Sequence, residues 1–280
     1  MKLKEVPQSL IAATRLTCLS EKNRRGDHLP LLPVIVSLTS IPSRLHKVHL
    51  TVRSLLAQTV RAEKIVLWLN DDLKGGIPNS LSILEGDRFI ICYSPLTCSH
   101  RKLIHSLTRF PSKLIVTCDD DSMYAKDWLQ KLYAEHLRFP NDIITNQCNL
   151  IDYDTQGNTL PYRQWKKAPN TGFASPALMP AGYGGVLYPV DCLHEDIGNV
   201  DLFLRLAPKA DDLWFKAMSY LNGTLCRRAE QRPKKPLTIV GTQALSLGKT
   251  NIRQDKNREQ WDAIRAHYDF STPRADDVTA

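Results

Sequence analysis

Two acidic clusters carry the chemistry open to this chain: Asp119-Asp120-Asp121 at the end of an apolar run, and Asp211-Asp212 where a helical pattern begins. Like charges crowded at the end of an apolar segment repel in a partly desolvated setting, so a cation is expected among the first three. In extended backbone, residues two apart point to the same side, which pairs Asp119 with Asp121. A hard divalent ion, Mn²⁺ or Mg²⁺, takes such oxygen ligands and keeps positions open for phosphate. A solvated acidic turn that caps the next helix is the plain alternative. Asp211 and Asp212 suit a general base. Acidic residues in a first helical turn are also favoured simply by the unpaired amides and the helix dipole.

The elements that must position these groups are legible as alternating periods. Pro33-Val34-Ile35-Val36-Ser37-Leu38, Lys64-Ile65-Val66-Leu67-Trp68-Leu69, Arg88-Phe89-Ile90-Ile91-Cys92-Tyr93 and Leu114-Ile115-Val116-Thr117-Cys118 read as buried strands. Between them, Leu45, Val48, Val52, Leu55 and Leu56 recur at helical steps after a possible Ser43 cap, and a second helix spans Arg101 to Phe110. A third carries Trp128, Leu129, Leu132, Tyr133 and Leu137 on one side. Strands alternating with amphipathic helices imply an α/β fold of Rossmann type, with a mainly parallel central sheet flanked by helices and ligands gathered at the strand carboxyl ends. After residue 145 the periodicity weakens and Pro, Gly and aromatic residues multiply. We therefore divide the chain into an N-terminal extension (1–30), a first half (31–145), a looser second half (146–270) and a C-terminal tail (271–280). Helices are expected from about Ala210 to Leu221 and from Lys256 to His267.

The 280 residues are ordinary in composition, 42% hydrophobic and 24% charged, with a net charge of +8. No run approaches the ~18 apolar residues of a membrane span, so neither a signal peptide nor a transmembrane helix is expected. Seven scattered cysteines without a C-x-x-C pair argue for reduced thiols in a cytosolic protein. The densest basic stretch, Arg227, Arg228, Arg232, Lys234 and Lys235, points to an acidic partner. No nucleic-acid motif accompanies it, which leaves an anionic membrane face, a phosphorylated lipid-linked acceptor, or a solvated basic loop.

In order and spacing, several segments resemble the bacterial family 2-type glycosyltransferases of the GT-A fold, many of which serve lipopolysaccharide or capsule assembly. The likeness runs over about residues 33–260. It begins with Ile35-Val36-Ser37-Leu38-Thr39-Ser40-Ile41-Pro42-Ser43-Arg44 and Ser54-Leu55-Leu56-Ala57-Gln58-Thr59, and continues with Ile65-Val66-Leu67-Trp68-Leu69-Asn70-Asp71 and the three aspartates. It ends with Gly184-Gly185-Val186-Leu187-Tyr188-Pro189 and Ala210-Asp211-Asp212-Leu213-Trp214-Phe215. The resemblance implies a nucleotide-sugar donor, most commonly a UDP-sugar, contacted by Thr39, Arg44, Asn70 or Asp71 and Asp120. It also implies a basic contact to the diphosphate from Lys102, and a metal on Asp119 and Asp121. Asp212 would be the base of an inverting transfer to a glycan or lipid-linked acceptor, at the cytoplasmic face of the inner membrane. Asn251, Asn257 and Gln260 are further possible donor contacts.

Sugar transfer needs a stabilised leaving diphosphate and a hydroxyl that loses its proton. Gly182, Gly184 and Gly185 permit close backbone approach, and Tyr183, Tyr188 and Trp214 offer stacking faces for an acceptor, although a tight packed turn reads the same way. His194, Glu195, Asp196 and His267 are left outside the metal site. A strand ending in D-x-D also occurs in phosphohydrolases, where it belongs on the first strand rather than the fourth. That leaves a metal-dependent phosphotransferase or phosphohydrolase, and a catalytically inactive nucleotide-sugar-binding protein, as alternatives.

Overall fold

The computed structural model describes residues 5–19, 26–243, 251, 254–270 and 272–273. Most of the expected C-terminal tail and part of the N-terminal extension lie outside these residues. Thirteen strands form: β1 (Leu31–Thr39), β2 (Arg61–Asn70), β3 (Phe89–Ser94), β4 (Leu114–Thr117), β5 (Ser122–Met123), β6 (Ile143–Thr145), β7 (Cys148–Leu150), β8 (Lys166–Lys167), β9 (Ala174–Ser175), β10 (Leu178–Pro180), β11 (Val186–Tyr188), β12 (Cys226–Arg228) and β13 (Leu237–Thr238). The helices are α1 (Val6–Thr17), α2 (Val48–Leu56), α3 (Asn79–Ser82), α4 (Arg101–Arg109), α5 (Trp128–Arg138), α6 (Val200–Leu206), α7 (Asp211–Leu221) and α8 (Lys256–Tyr268).

Eight strands make the central sheet, in the order β3-β2-β1-β4-β11-β6-β12-β9. The first four are parallel, with Ile35–Thr39 beside Lys64–Trp68 on one side and Val34–Ser37 beside Leu114–Thr117 on the other. This is the expected mixed α/β architecture. Both faces of β1 are covered, which is why its sequence is a continuous apolar run rather than an alternation. Successive side chains still go to opposite faces. Ile35 joins Ile115, Val186, Leu103, Leu213 and Trp261 in one cluster, whereas Val34, Val36 and Leu38 join Val52, Leu55, Val116, Leu129 and Leu187 in the other. Thus α4, α7 and α8 cover one face, and α2 and α5 the other.

The second half is not a separate layer. β11 inserts antiparallel between β4 and β6, and β12 and β9 extend the same sheet, so the change of texture after residue 145 marks no break in the core. Small sheets form from β10-β7-β8 and from β13-β5. Gly185, at φ +91°, makes the turn into β11 possible. A Cβ there would fall 2.5 Å from the Trp128 ring, so the indole packs flat on bare backbone and donates to Gly184 O at 2.9 Å.

Three local expectations are corrected. Ser43 caps nothing, because it lies inside a short 3₁₀ turn (Pro42–Arg44), and α2 starts at Val48 without a side-chain cap. Leu137 does not share the buried face of α5 but is 64% exposed, since that face is set by Trp128, Leu129 and Leu132. The extension is not a loose appendage over α1, which packs on α2 and β13, with Ser9 Oγ donating to Thr238 O at 2.8 Å. Among the described residues no helix is long and apolar enough to cross a membrane.

One histidine couples this packing to pH. His100, just before α4, is fully buried and stacks on Phe203 with ring centroids 4.3 Å apart. Burial pushes its imidazole down to about 4, against a partial counter-pull from Asp211. A depressed folded-state value leaves stability intact above the ordinary imidazole range and removes it as pH falls from about 6.5 toward 4, because only the unfolded chain takes up the proton. Relative to His100→Phe, the wild type should lose about 3 kcal/mol across that window, read from urea unfolding at stepped pH. Parallel pH profiles for the two proteins would show that His100 is not the titrating group.

Candidate functional site

The carboxyl ends of β1 and β4, the start of α4 and the start of α7 enclose a cavity of about 230 Å³. Its walls bring together Thr39, Ser40 and Arg44 from the β1 end, Arg101 and Lys102 from α4, Asp119, Asp120 and Asp121 after β4, and Asp211 and Asp212 from α7. Five carboxylates face three cations, a formal surplus of two negative charges. A larger cavity of about 840 Å³ lies at the amino ends of β1 and β2, lined by Arg61, Glu63, Glu85 and Arg88 among others. Two of its charges are already matched, Arg61 by Asp27 and Glu63 by Lys113. The smaller cavity is the chemical one, because it stands where parallel strands end and unbalanced charge converges.

The aspartates after β4 lie at a turn rather than in extended backbone, and they differ in burial. Asp120 is buried, accepts from Ser40 Oγ and pairs with Arg44 at 2.7 Å, and its carbonyl accepts from Thr51 Oγ1 at 2.8 Å. Burial pushes its carboxyl up, and Arg44 only partly opposes that. Asp119 and Asp121 are half-buried and open to the cavity. Burial and then Asp119 push the Asp121 carboxyl up to about 6, although Arg44 lies 3.6 Å away and Gln243 Nε2 donates to it at 2.9 Å.

Lys102 joins this cluster to the second. Its ammonium lies 3.1 Å from Asp119 and 3.0 Å from Asp211, with almost no exposure. Burial opposes its charge, yet Asp119, Asp211 and Asp212 together hold it well above the usual lysine range. Burial likewise opposes ionisation of Asp211, and Lys102 outweighs it, leaving that carboxyl low. Asp212 lacks such a partner. It accepts the Gly182 amide at 3.1 Å, and burial followed by Asp211 pushes its carboxyl up to about 7. The two adjacent carboxyls thus separate into a permanent anion and a group that titrates near neutrality, the value suited to a base.

Gly182 is where the clusters meet. A Cβ there would fall 3.0 Å from Asp212 Oδ1 and Lys102 Nζ and 3.2 Å from Asp119 Oδ1. Only a residue without a side chain lets these groups close around it.

Several expected contacts are placed elsewhere. Asn70 holds strand ends together, donating to Pro95 O at 3.1 Å and accepting from the Asp72 amide, while Asp71 pairs with Lys74. Neither lines the cavity. Thr39 does, but its hydroxyl accepts from Arg101 and donates to Trp68 O. Trp214 is 0% exposed, packed on Phe203 and Tyr268 with its indole bonded to Ile197 O, so it offers no face to a sugar; Tyr188 is buried in β11. Gly184 abuts Gln147 and Gly185 abuts Trp128, so both serve the packed turn. Of that group only Tyr183 keeps a partly open ring. Asn251 and Gln260 bond to the backbone of Lys209 and fasten α8 beside the start of α7; Asn257 is buried.

Sequence reasoning missed Arg101, Ser40 and Gln243. Arg101 left a readable sign: two basic residues open α4, where the helix dipole disfavours positive charge, so something negative must face them. Gln243 left none, because it reaches Asp121 across 122 residues of sequence.

Asp119 and Asp121 are the hard oxygen donors that a divalent ion would take in this cavity, although among the described residues no group of three or more His, Cys, Asp or Glu side chains is arranged to hold one. Asp119 and Asp121 would therefore supply two ligands and leave the rest to water and phosphate, as Mg²⁺ commonly does. Lys102→Met should leave Asp119 and Asp211 uncompensated and lower stability by about 3–5 kcal/mol, measured by urea unfolding at neutral pH. A loss below about 1 kcal/mol would show that the bridge holds nothing together.

No family model matches the chain, and no curated protein matches it in sequence. A solved structure that does match is a CMP:2-keto-3-deoxy-manno-octonic acid synthetase complexed with CTP, at TM-score 0.39 and 11% identity over 72% of this chain and 90% of its own. A likeness of that degree carries no argument about what this chain does.

Proposed function

We propose that the chain is a metal-dependent glycosyltransferase that moves a sugar from a nucleotide-diphosphate donor to a hydroxyl of a glycan or lipid-linked acceptor, with inversion. The observation that supports this best is the convergence of Asp119 and Asp121 with Asp212 around one cavity, across the Lys102 bridge. In this reading Asp119 and Asp121 hold Mn²⁺ or Mg²⁺, which when bound neutralises charge developing on the departing diphosphate. Arg44 keeps Asp120 compensated, so that Asp120 stabilises the acidic turn rather than competing for the ion. Lys102 fixes the side chain of Asp119 and, through Asp211, the first turn of α7.

Asp212 Oδ then takes the proton of the attacking hydroxyl while the acceptor oxygen bonds to the anomeric carbon and the diphosphate leaves from the opposite side. The Gly182 amide orients this carboxylate without protonating it. Surface-polysaccharide synthesis on the inner face of the membrane remains the setting that the sequence resemblance implies, with a UDP-sugar as the commonest donor.

Asp119→Asn and Asp121→Asn should each abolish the Mn²⁺-dependent rise in melting temperature produced by nucleotide sugars. Asp212→Asn should keep that rise and lose about 10²–10⁴-fold in transfer rate, measured as acceptor-dependent release of nucleoside diphosphate. Full transfer by the Asp212 variant would sink the proposed base, and phosphate release that needs no acceptor would replace the reading with a phosphohydrolase.

A further inference from the structure

The turn Gly182–Gly184 serves both sides of the cavity. Its first residue holds Asp212, and its second, Tyr183, is a residue 39% exposed. The Tyr183 carbonyl accepts from Tyr124 Oη at 3.2 Å, the same hydroxyl that accepts from the Asp119 amide at 2.9 Å. The Tyr183 backbone is thereby fixed next to Gly182, where the two acidic clusters meet. A partly exposed tyrosine next to the glycine whose amide orients Asp212 is a platform for the apolar side of a sugar ring.

Lys235 Nζ stands 5.8 Å from the centroid of that ring. Lys235, Lys234 and Arg232 are all exposed, and among the described residues no carboxylate forms an ion pair with any of them. Glu230, the acidic residue of the stretch, is taken by Arg138. Arg227 and Arg228 differ, since they turn inward to Asp142 and to carbonyls of residues 168–172. Lys235 therefore stands over the Tyr183 ring, beside the turn that meets Asp212 and without a carboxylate partner among the described residues, while the cavity itself carries surplus negative charge. A neutral sugar needs no such counterweight, whereas an anionic one could not approach five carboxylates without it.

We propose that Tyr183 and Lys235 form the acceptor subsite and that the acceptor is anionic, a hydroxylated ring on Tyr183 with a phosphate or carboxylate group reaching Lys235. This rests on Asp212 as the base, since the stacked ring is what brings a hydroxyl to it.

Ligand-detected NMR with glucose 6-phosphate, and with methyl glucoside as the neutral control, tests the assignment. UDP and Mn²⁺ are present to fill the diphosphate position. Glucose 6-phosphate should bind the wild type about tenfold more tightly than the glucoside. That preference should vanish in Lys235→Gln and return in Lys235→Arg, and Tyr183→Ala should weaken both sugars. Equal binding of the two sugars to the wild type, or an undiminished preference in Lys235→Gln, overturns the subsite. Vesicles of phosphatidylcholine and phosphatidylglycerol separate the sources of phosphate. Capture that depends on Lys235, without sugar-phosphate binding that does, assigns the cation to a membrane surface and overturns it too. Binding is read without turnover, so failure of the Asp212 variant test leaves this result interpretable by itself.

Discussion

A single buried ammonium holds the candidate site in one piece. Lys102 bridges Asp119, at the end of β4, to Asp211, at the start of α7, and these two carboxylates are far apart in sequence. A charge buried to this degree is tolerable only when paired on more than one side, and here both sides belong to the groups proposed for chemistry. The bridge also sorts the two α7 aspartates. Asp211 receives the cation and stays ionised, while Asp212, left to burial and its neighbour, titrates near 7. One pairing therefore sets the position of one acidic cluster and the character of the other.

The sheet makes that bridge possible. Parallel β1 and β4 deliver their carboxyl ends to a common edge, and α4 crosses beneath them with Arg101 and Lys102 in its first turn. Antiparallel β11 then brings the Gly182 turn to the same edge from the opposite direction. Gly182 has no side chain to hold the clusters apart, and Gly185 lets Trp128 close underneath. On the far side, β13 pairs with β5, and Gln243 reaches Asp121. The candidate site depends on these approaches.

The basic stretch behaves as two groups rather than one. Arg227 lies 3.6 Å over the Phe139 ring and pairs with Asp142, and Arg228 bonds the carbonyl of Ala168, so both act as structural cations inside the fold. Arg232, Lys234 and Lys235 remain at the surface, Lys235 over the Tyr183 ring. Net charge identifies an acidic partner only in general terms, and the division between used and unused cations locates where that partner would meet the protein.

The amino-acid sequence by itself determined the parallel half of the fold, the ends of its strands and the two acidic clusters, because apolar runs and helical periods are local patterns set by which faces are buried. That Asp119 and Asp121 both line the cavity rests on the tertiary structure, because the segment turns there instead of continuing as extended backbone. Only the tertiary structure decided that the second half enters the same sheet, that Trp214 is core and Tyr183 is not, and that Asn70 and Asp71 stay outside the cavity. Lys102 was readable as a basic residue near a diphosphate, but its place between Asp119 and Asp211 was not. The physical reason is the same in each case: such placements depend on contacts between segments tens to more than a hundred residues apart, and a glycine or an aromatic residue looks the same in sequence whether it packs a turn or faces a ligand.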